Sequence, residues 1–219
     1  MEQAVLTSNQ KKVIMNVAAE DRLSQFYLTG GTALAAYYLN HRVSDDLDFF
    51  VQNDPDIIFL KEFAERLKDN VGAHEVLFER LYDRNQFFFK IGEEELKVEF
   101  TKYPFKQLEE PGMRVRDGIR IDSLRDISAN KLMAMLDRFD PKDFVDLYFI
   151  LQNTSLVDVR KDAETKFDMK IGDIFLGGEF VKVRRIEALP RMIKRVEIGE
   201  LKSFFADRAR ELSPVIFKN

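Results

Sequence analysis

Cysteine is absent from this 219-residue sequence, so disulfides, thiolate nucleophiles and cysteine-type zinc sites are excluded. Histidine occurs twice, at His41 and His74, which leaves little room for a histidine-based metal site. Tryptophan is also missing, and twenty phenylalanines take its place as candidates for an aromatic core. No apolar run approaches the ~18 residues that would suggest a membrane span. The opening residues, Met-Glu-Gln-Ala-Val, lack a basic start and an apolar signal core, so secretion is not expected and a cytoplasmic location is.

What is present reads as a globular protein. Hydrophobic residues make up 45% and charged residues 33%, a balance that excludes disorder and allows one large or two small cores. The net charge of −4 argues against a uniformly basic, nucleic-acid-coating surface. Acids outnumber bases over residues 1–120, whereas the two nearly balance over 121–219. That asymmetry suits a metal-binding domain followed by one that contacts a substrate. The domain boundary is expected near residue 120, with no internal repeat.

Periodicity predicts an amphipathic helix within 8–20, a short strand at 25–29, a break at Gly30-Gly31 and a helix over 32–39. A polar connection at 40–44 precedes a strand at 46–51. Asp54 before Pro55 predicts a capped helix to about residue 70. Strands follow at 75–82, 86–91 and 95–102, the last two joined by a tight turn near Gly92. Pro104 and Pro111 punctuate the next stretch, and 114–121 reads as one more strand. Beyond it, Ser123 predicts a cap for a helix through 138, and Asp140-Pro141 restarts another to about 152. Further helices are expected at 155–167 and 197–212. The segment with Gly172, Gly177 and Gly178 yields no clear element.

The chemistry concentrates in Gly30-Gly31-Thr32-Ala33-Leu34 and Arg42-Val43-Ser44-Asp45-Asp46-Leu47-Asp48-Phe49-Phe50. On a strand, residues two apart share a face, so Asp46 and Asp48 project together while Leu47 and Phe49 face the core. Two crowded carboxylates repel unless a cation lies between them, and hard oxygen ligands favour Mg²⁺ or Mn²⁺. Glycine lets the backbone approach a phosphate closely, and a helix start supplies N–H groups for it. A lone Gly-Gly is usually a turn and a lone Asp-x-Asp usually a solvated loop. Their ordered combination meets the requirement for nucleotidyl transfer, in which metal ions steady the attacking and leaving oxygens.

These two blocks, with Ala129-Asn130-Lys131-Leu132-Met133-Ala134 and Lys142-Asp143-Phe144-Val145-Asp146-Leu147, resemble the AbiEii/AbiGii-toxin-like nucleotidyltransferases of the polymerase-β superfamily. The blocks keep the family's order over about residues 25–152. The resemblance implies an α/β (α+β) fold: a polymerase-β-like core over 1–120 with a mixed sheet flanked by helices, then a mainly helical part over 121–219. It implies an NTP substrate, a divalent metal, and either tRNA or a protein as acceptor. Some relatives are toxins with a cognate antitoxin. No membrane partner is implied.

The resemblance also proposes further site residues. Superfamily enzymes carry a third acid on a neighbouring strand, and Glu99 in Leu96-Lys97-Val98-Glu99-Phe100 is the candidate metal ligand. A charge on a half-exposed strand is the competing reading. Lys131 matches the family's Asn-Lys-Leu motif and would meet the triphosphate as a point charge, against the alternative of a solvated helix lysine. Asp143 and Asp146 share a helical face and either orient Lys131, act as a base for the acceptor hydroxyl, or anchor the helix. Lys142 stands where the family has arginine.

The remaining candidates rest on residue type. Thr32 and Ser44 would bind phosphate or cap a helix. Arg42 would reach phosphate or pair with Asp45 or Asp46. Tyr148 and Phe149 read as helix core, and His41 as a surface residue without a role. Lys182, Arg184, Arg185, Arg191, Lys194 and Arg195, with only Glu187 among them, form the best candidate contact for an RNA backbone. Two other functions keep the same motifs: a non-catalytic RNA- or protein-binding fold, and a phosphotransferase.

Overall fold

In the computed structural model, residues 5–109, 115–116 and 118–212 are described. They fall into two units, the first within residues 5–38 and 44–123 and the second within residues 39–43 and 124–212. No helix among the described residues is long and apolar enough to cross a membrane.

The first unit is built on a seven-stranded mixed sheet. Its strands are β1 (Tyr27–Thr29), β2 (Leu47–Val51), β3 (Glu75–Leu81), β4 (Arg84–Ile91), β5 (Glu94–Lys102), β6 (Val115–Arg116) and β7 (Ile119–Ile121), in the order β3-β4-β5-β2-β1-β7-β6. β1 runs antiparallel to β2 and parallel to β7, and β2 runs parallel to β5. The hairpins β3–β4 and β4–β5 follow from alternating apolar residues separated by short turns; Gly92, at φ +62°, turns the second. The single strand expected at 114–121 is two short strands folded about Gly118 at φ +77°. Pro111 lies outside the described residues.

The helical segments α1 (Ser8–Ala19), a 3₁₀ turn at Asp21–Leu23, α2 (Gly30–Leu34, continued as a π turn over Ala35–Leu39) and α3 (Ile57–Val71) accompany this sheet. Thr7 and Gln10 form a reciprocal capping box at the start of α1. The cap of α3 is Asp56, which accepts from the Phe59 N–H; it is not Asp54. Pro55 lies before the cap, and Asp54 instead accepts from Lys102 at 2.8 Å. The apolar face of α3 brings Phe63 to the sheet, where Phe26, Phe49, Phe63 and Phe87 surround Phe100 with centroids 5.2–6.3 Å away. Phenylalanine thus supplies the aromatic core in a chain without tryptophan.

The second unit is helical: α4 (Leu124–Asp137), α5 (Pro141–Ile150), α6 (Leu156–Phe167), α7 (Asp173–Val181) with a 3₁₀ turn at Lys182–Arg185, and α8 (Ile198–Leu212). Asp140 caps α5 with Pro141 in its first turn, as its sequence predicts. α7 occupies the segment that gave no clear element. Its glycines depress helix propensity, yet the helix packs against α8, where a Cβ at Gly177 would meet the Ala209 carbonyl at an ordinary contact distance of 3.7 Å. Leu176 and Phe180 are buried there, with Phe205 5.2 Å from both Phe180 and Phe144. Tertiary packing overrides local propensity.

Candidate active site

Across the first unit's sheet, Thr29, Asp48, Glu99 and Gln86 occupy one register row on β1, β2, β5 and β4. Leu47, Phe49 and Val51 are buried on one face of β2, and Asp48 with Phe50 lies half-buried on the other. Asp46 immediately precedes the strand. Gly30 has φ +71°, and a Cβ built on it would lie 2.3 Å from Oδ2 of Asp48. Any side chain at position 30 would therefore occupy the space of that carboxylate. Thr32 is fully buried, and its hydroxyl donates to the Asp46 carbonyl. Behind this segment, the buried Gln10 amide donates to the carbonyls of Ser44 (2.8 Å) and Asp45 (3.0 Å). The glycine turn and the acidic segment are held as one piece.

Two neighbouring groups were not apparent from local sequence. Asp122, buried after β7, accepts from the Thr29 hydroxyl at 2.7 Å, and its carbonyl accepts from Tyr38 Oη at 2.8 Å. Arg84, at the start of β4, donates through Nε and Nη2 to the two oxygens of Glu99 at 2.7 and 2.8 Å. Asp48 and Asp46 add to the pairing that raises the Arg84 pKa, so the guanidinium belongs to their electrostatic surroundings.

Glu99 is 2% exposed, not half-exposed. Besides Arg84 it accepts from Gln86 (2.9 Å) and Thr101 (2.7 Å), and Lys97 lies at 3.1 Å. Burial alone would raise its pKa, but these donors outweigh it and hold the carboxyl at about 2. Among the described residues no group of three or more Asp, Glu or His side chains is arranged to hold a metal. Asp46 and Asp48 still fit a hard cation of the Mg²⁺ type, which takes one or two carboxylates and completes its shell from water and phosphate. The absent Cβ at Gly30 is what leaves Asp48 its place.

The second unit holds the other predicted site residues. Asp146 on α5 is buried and accepts from Arg42 Nε (2.6 Å) and Nη2 (2.9 Å), and from His41 Nε2 (2.8 Å); Lys131 Nζ lies 2.7 Å away. Lys131 also donates to Asp143 at 3.0 Å, and Arg138 reaches the second Asp143 oxygen at 3.1 Å. Lys131 is therefore no solvated helix lysine: Asp143 and Asp146 orient it. The cations hold the Asp146 carboxyl far below the usual range, against the opposing effect of burial. Burial also lowers His41, while the two carboxylates outweigh burial and raise Lys131.

Two expectations change here. His41 is fully buried, not a surface residue; a carboxylate only accepts, so Nε2 carries the proton and the neutral ring leaves Nδ1 without a partner. Arg42 pairs with Asp146, not with Asp45 or Asp46, and its Nη1 donates to the Val43 carbonyl. Its guanidinium is buried and engaged. The main chain ties the same segment down, as Val43 N–H donates to Arg191 and the His41 carbonyl accepts from Ile193 and Lys194. These bonds explain why residues 39–43 belong to the helical unit.

Of the basic segment, Arg184, Arg185, Arg191, Lys194 and Arg195 are exposed. Arg185 stacks 4.3 Å over the Phe139 ring, and Arg195 pairs with Glu197. Tyr148 is buried in the helix core, where its hydroxyl donates to Glu200 and its pKa rises to about 12; Phe149 lies 5.1 Å from the His41 ring.

Residues 15–213 match the family model described as "Nucleotidyl transferase AbiEii toxin, Type IV TA system". The chain belongs to this AbiEii family. It is a nucleotidyltransferase, and the neighbouring solved structures agree in fold. An uncharacterised protein of Aquifex aeolicus (strain VF5) is 31% identical over 147 residues, 67% of this chain and 68% of that protein. JHP933 of Helicobacter pylori superposes with a TM-score of 0.61 at 20% identity, over 93% of this chain and 88% of that one. MenT4, a nucleotidyltransferase toxin of Mycobacterium tuberculosis H37Rv, gives 0.52 at 15% identity, over 95% and 86%. At such identities the two structures speak for the α/β fold alone. Within the AbiEii chain, Gly30, Gly31, Thr32, Asp46 and Asp48 converge in the first unit, while Arg42, Lys131, Asp143 and Asp146 converge in the second.

Proposed function

We propose that this AbiEii-family enzyme transfers a nucleoside monophosphate from an NTP to an acceptor hydroxyl, with Mg²⁺ or Mn²⁺ held by Asp46 and Asp48. The observation that carries this reading is the fit of the Asp48 carboxylate against Gly30, with Thr32 fastening Asp46 to the same turn. In the reaction the acceptor oxygen bonds to the α-phosphorus, the bond from that phosphorus to the bridging oxygen breaks, pyrophosphate leaves, and the hydroxyl proton passes to solvent. The bound cation would supply charge stabilisation for the oxygens gaining negative charge. Main-chain N–H groups at Gly30 and Gly31 receive phosphate oxygens, and Asp46 and Asp48 serve as hard oxygen ligands. In the second unit, Lys131, oriented by Asp143 and Asp146, is the candidate residue for the reaction.

The acceptor is a hydroxyl of tRNA, a reading supported by the exposed guanidinium and ammonium groups at Arg184, Arg185 and Lys194. Membership of a toxin family further supports a cognate antitoxin as a protein partner. Incubation with Mg²⁺, total tRNA, cellular protein and NTPs labelled at either the α- or the γ-phosphate tests both points. Label from the α position on tRNA is expected. Label on protein would reassign the acceptor, and γ-label on either would replace nucleotidyl transfer by phosphoryl transfer.

A further inference from the structure

Arg84 is a cationic side chain in the surroundings of the first unit's acidic segment, and its geometry is fixed in advance. Its Nε and one Nη2 hydrogen engage Glu99 side by side, the fork arrangement that holds a guanidinium in a single plane. Glu99 is itself immobilised, buried and bonded to Gln86 and Thr101 with Lys97 alongside. The outward side of the guanidinium is different. Among the described residues, both Nη1 hydrogens and the second on Nη2 have no hydrogen-bond acceptor, and the side chain remains 40% exposed.

A counter-ion for Glu99 alone would not need this arrangement. Gln86, Thr101 and Lys97 already supply donors to both carboxylate oxygens, and an arginine serving only that pair gains nothing from an exposed outer edge. Asp48 and Asp46 are the further acids that bear on Arg84. A phosphate chain brought to those two carboxylates meets a guanidinium with donors unspent and little rotamer freedom left to lose.

Resting on the nucleotidyl-transfer reading, we propose that Arg84 is a substrate-contacting residue that binds the polyphosphate of the nucleotide, and that Glu99 is its positioning residue and not a third metal ligand. Gln86 and Thr101 complete the support. The acid on β5 thus acts through an arginine on β4, and the metal site keeps two protein carboxylates.

The test uses the full chain, inorganic tripolyphosphate with Mg²⁺ as the ligand, and Mn²⁺ alone as the metal probe. Calorimetry on Arg84→Gln is expected to show tripolyphosphate binding weakened roughly tenfold or more, the scale of a lost charge-assisted hydrogen bond. Arg84→Lys keeps the charge but loses the fork and falls between. Glu99→Gln weakens tripolyphosphate several-fold while Mn²⁺ affinity stays within about twofold of wild type; Asp48→Asn loses Mn²⁺. If Arg84→Gln is unstable because it leaves Glu99 short of a cation, the Arg84→Gln/Glu99→Gln double variant removes both charges and must still bind tripolyphosphate weakly. Tripolyphosphate affinity unchanged in the folded Arg84 variants overturns the role of Arg84. Loss of Mn²⁺ in Glu99→Gln to the extent seen in Asp48→Asn restores Glu99 as a ligand and overturns its positioning role. Failure of the wild type itself to bind tripolyphosphate rejects the nucleotidyl-transfer reading, and with it this proposal.

Discussion

A Cβ atom at residue 30 would lie 2.3 Å from Oδ2 of Asp48, closer than any two such atoms can approach. The glycine and the aspartate are eighteen positions apart in sequence but form one structural element, because β1 and β2 pair with Thr29 opposite Asp48.

Gly30→Ala therefore faces two penalties. Its φ of +71° costs an L-residue about 1–2 kcal/mol, and the new methyl displaces the Asp48 carboxylate. Urea unfolding should show a loss of at least that size, and Mn²⁺ titration should show weakened binding in the protein that remains folded. Gly72→Ala is the control: it carries similar φ strain at +75° but meets nothing within 4 Å, so metal binding should be untouched.

Thr32→Val removes the hydroxyl that donates to the Asp46 carbonyl while keeping the side chain's shape. Leaving that acceptor unpaired in a part-buried setting should cost about 1–3 kcal/mol of stability. Thr32→Ser should recover most of it. Chemical denaturation of the three proteins measures the difference.

In the helical unit, the cost of a substitution should follow the number of partners stranded. Asp146→Ala leaves Arg42, His41 and Lys131 without their shared acceptor and should destabilise by about 3–5 kcal/mol. Lys131→Met should cost less, roughly 1–3 kcal/mol, because Arg138 still serves Asp143 and Arg42 still serves Asp146. It should also lower nucleotide incorporation, which Asp146→Ala confounds with unfolding.

The same cluster sets an acid dependence. His41 and Asp146 both have pKa values lowered by folding, so both contribute stability that is lost as pH falls. The His41 contribution is fully present above its ordinary value of 6.5 and declines below it; that of Asp146 declines only below 3.8. Urea midpoints measured from pH 8 to pH 3 should fall in two stages. His41→Gln, which retains an amide donor for Asp146, should flatten the first stage and leave the second.

Features set by local pattern were legible before any coordinates. Alternation in Leu47-Asp48-Phe49 placed Asp48 opposite the core face, although the strand starts at Leu47 and leaves Asp46 just before it, and Asp140-Pro141 marked the start of α5. Reading Asp54 as the cap missed by two residues because Asp56 follows the proline and takes that place. α7 was hidden by two glycines that depress helix propensity, while the burial of Leu176 and Phe180 that offsets them has no local sign. His41 and Arg42 gave no local sign of burial, since their partner Asp146 lies more than a hundred positions away. Arg84 was invisible for a related reason: its meaning comes from the β4–β5 register that sets it beside Glu99.

If Gly30, Asp46 and Asp48 form one metal- and triphosphate-binding element, Asp48→Asn should disable it. The substitution removes charge while nearly preserving shape. With total tRNA, Mg²⁺ and α-labelled NTP, the wild type should incorporate label, and folded Asp48→Asn should lose at least about a hundredfold, as expected when a principal charge-stabilising group is removed. Incorporation by Asp48→Asn at the wild-type rate would contradict the account.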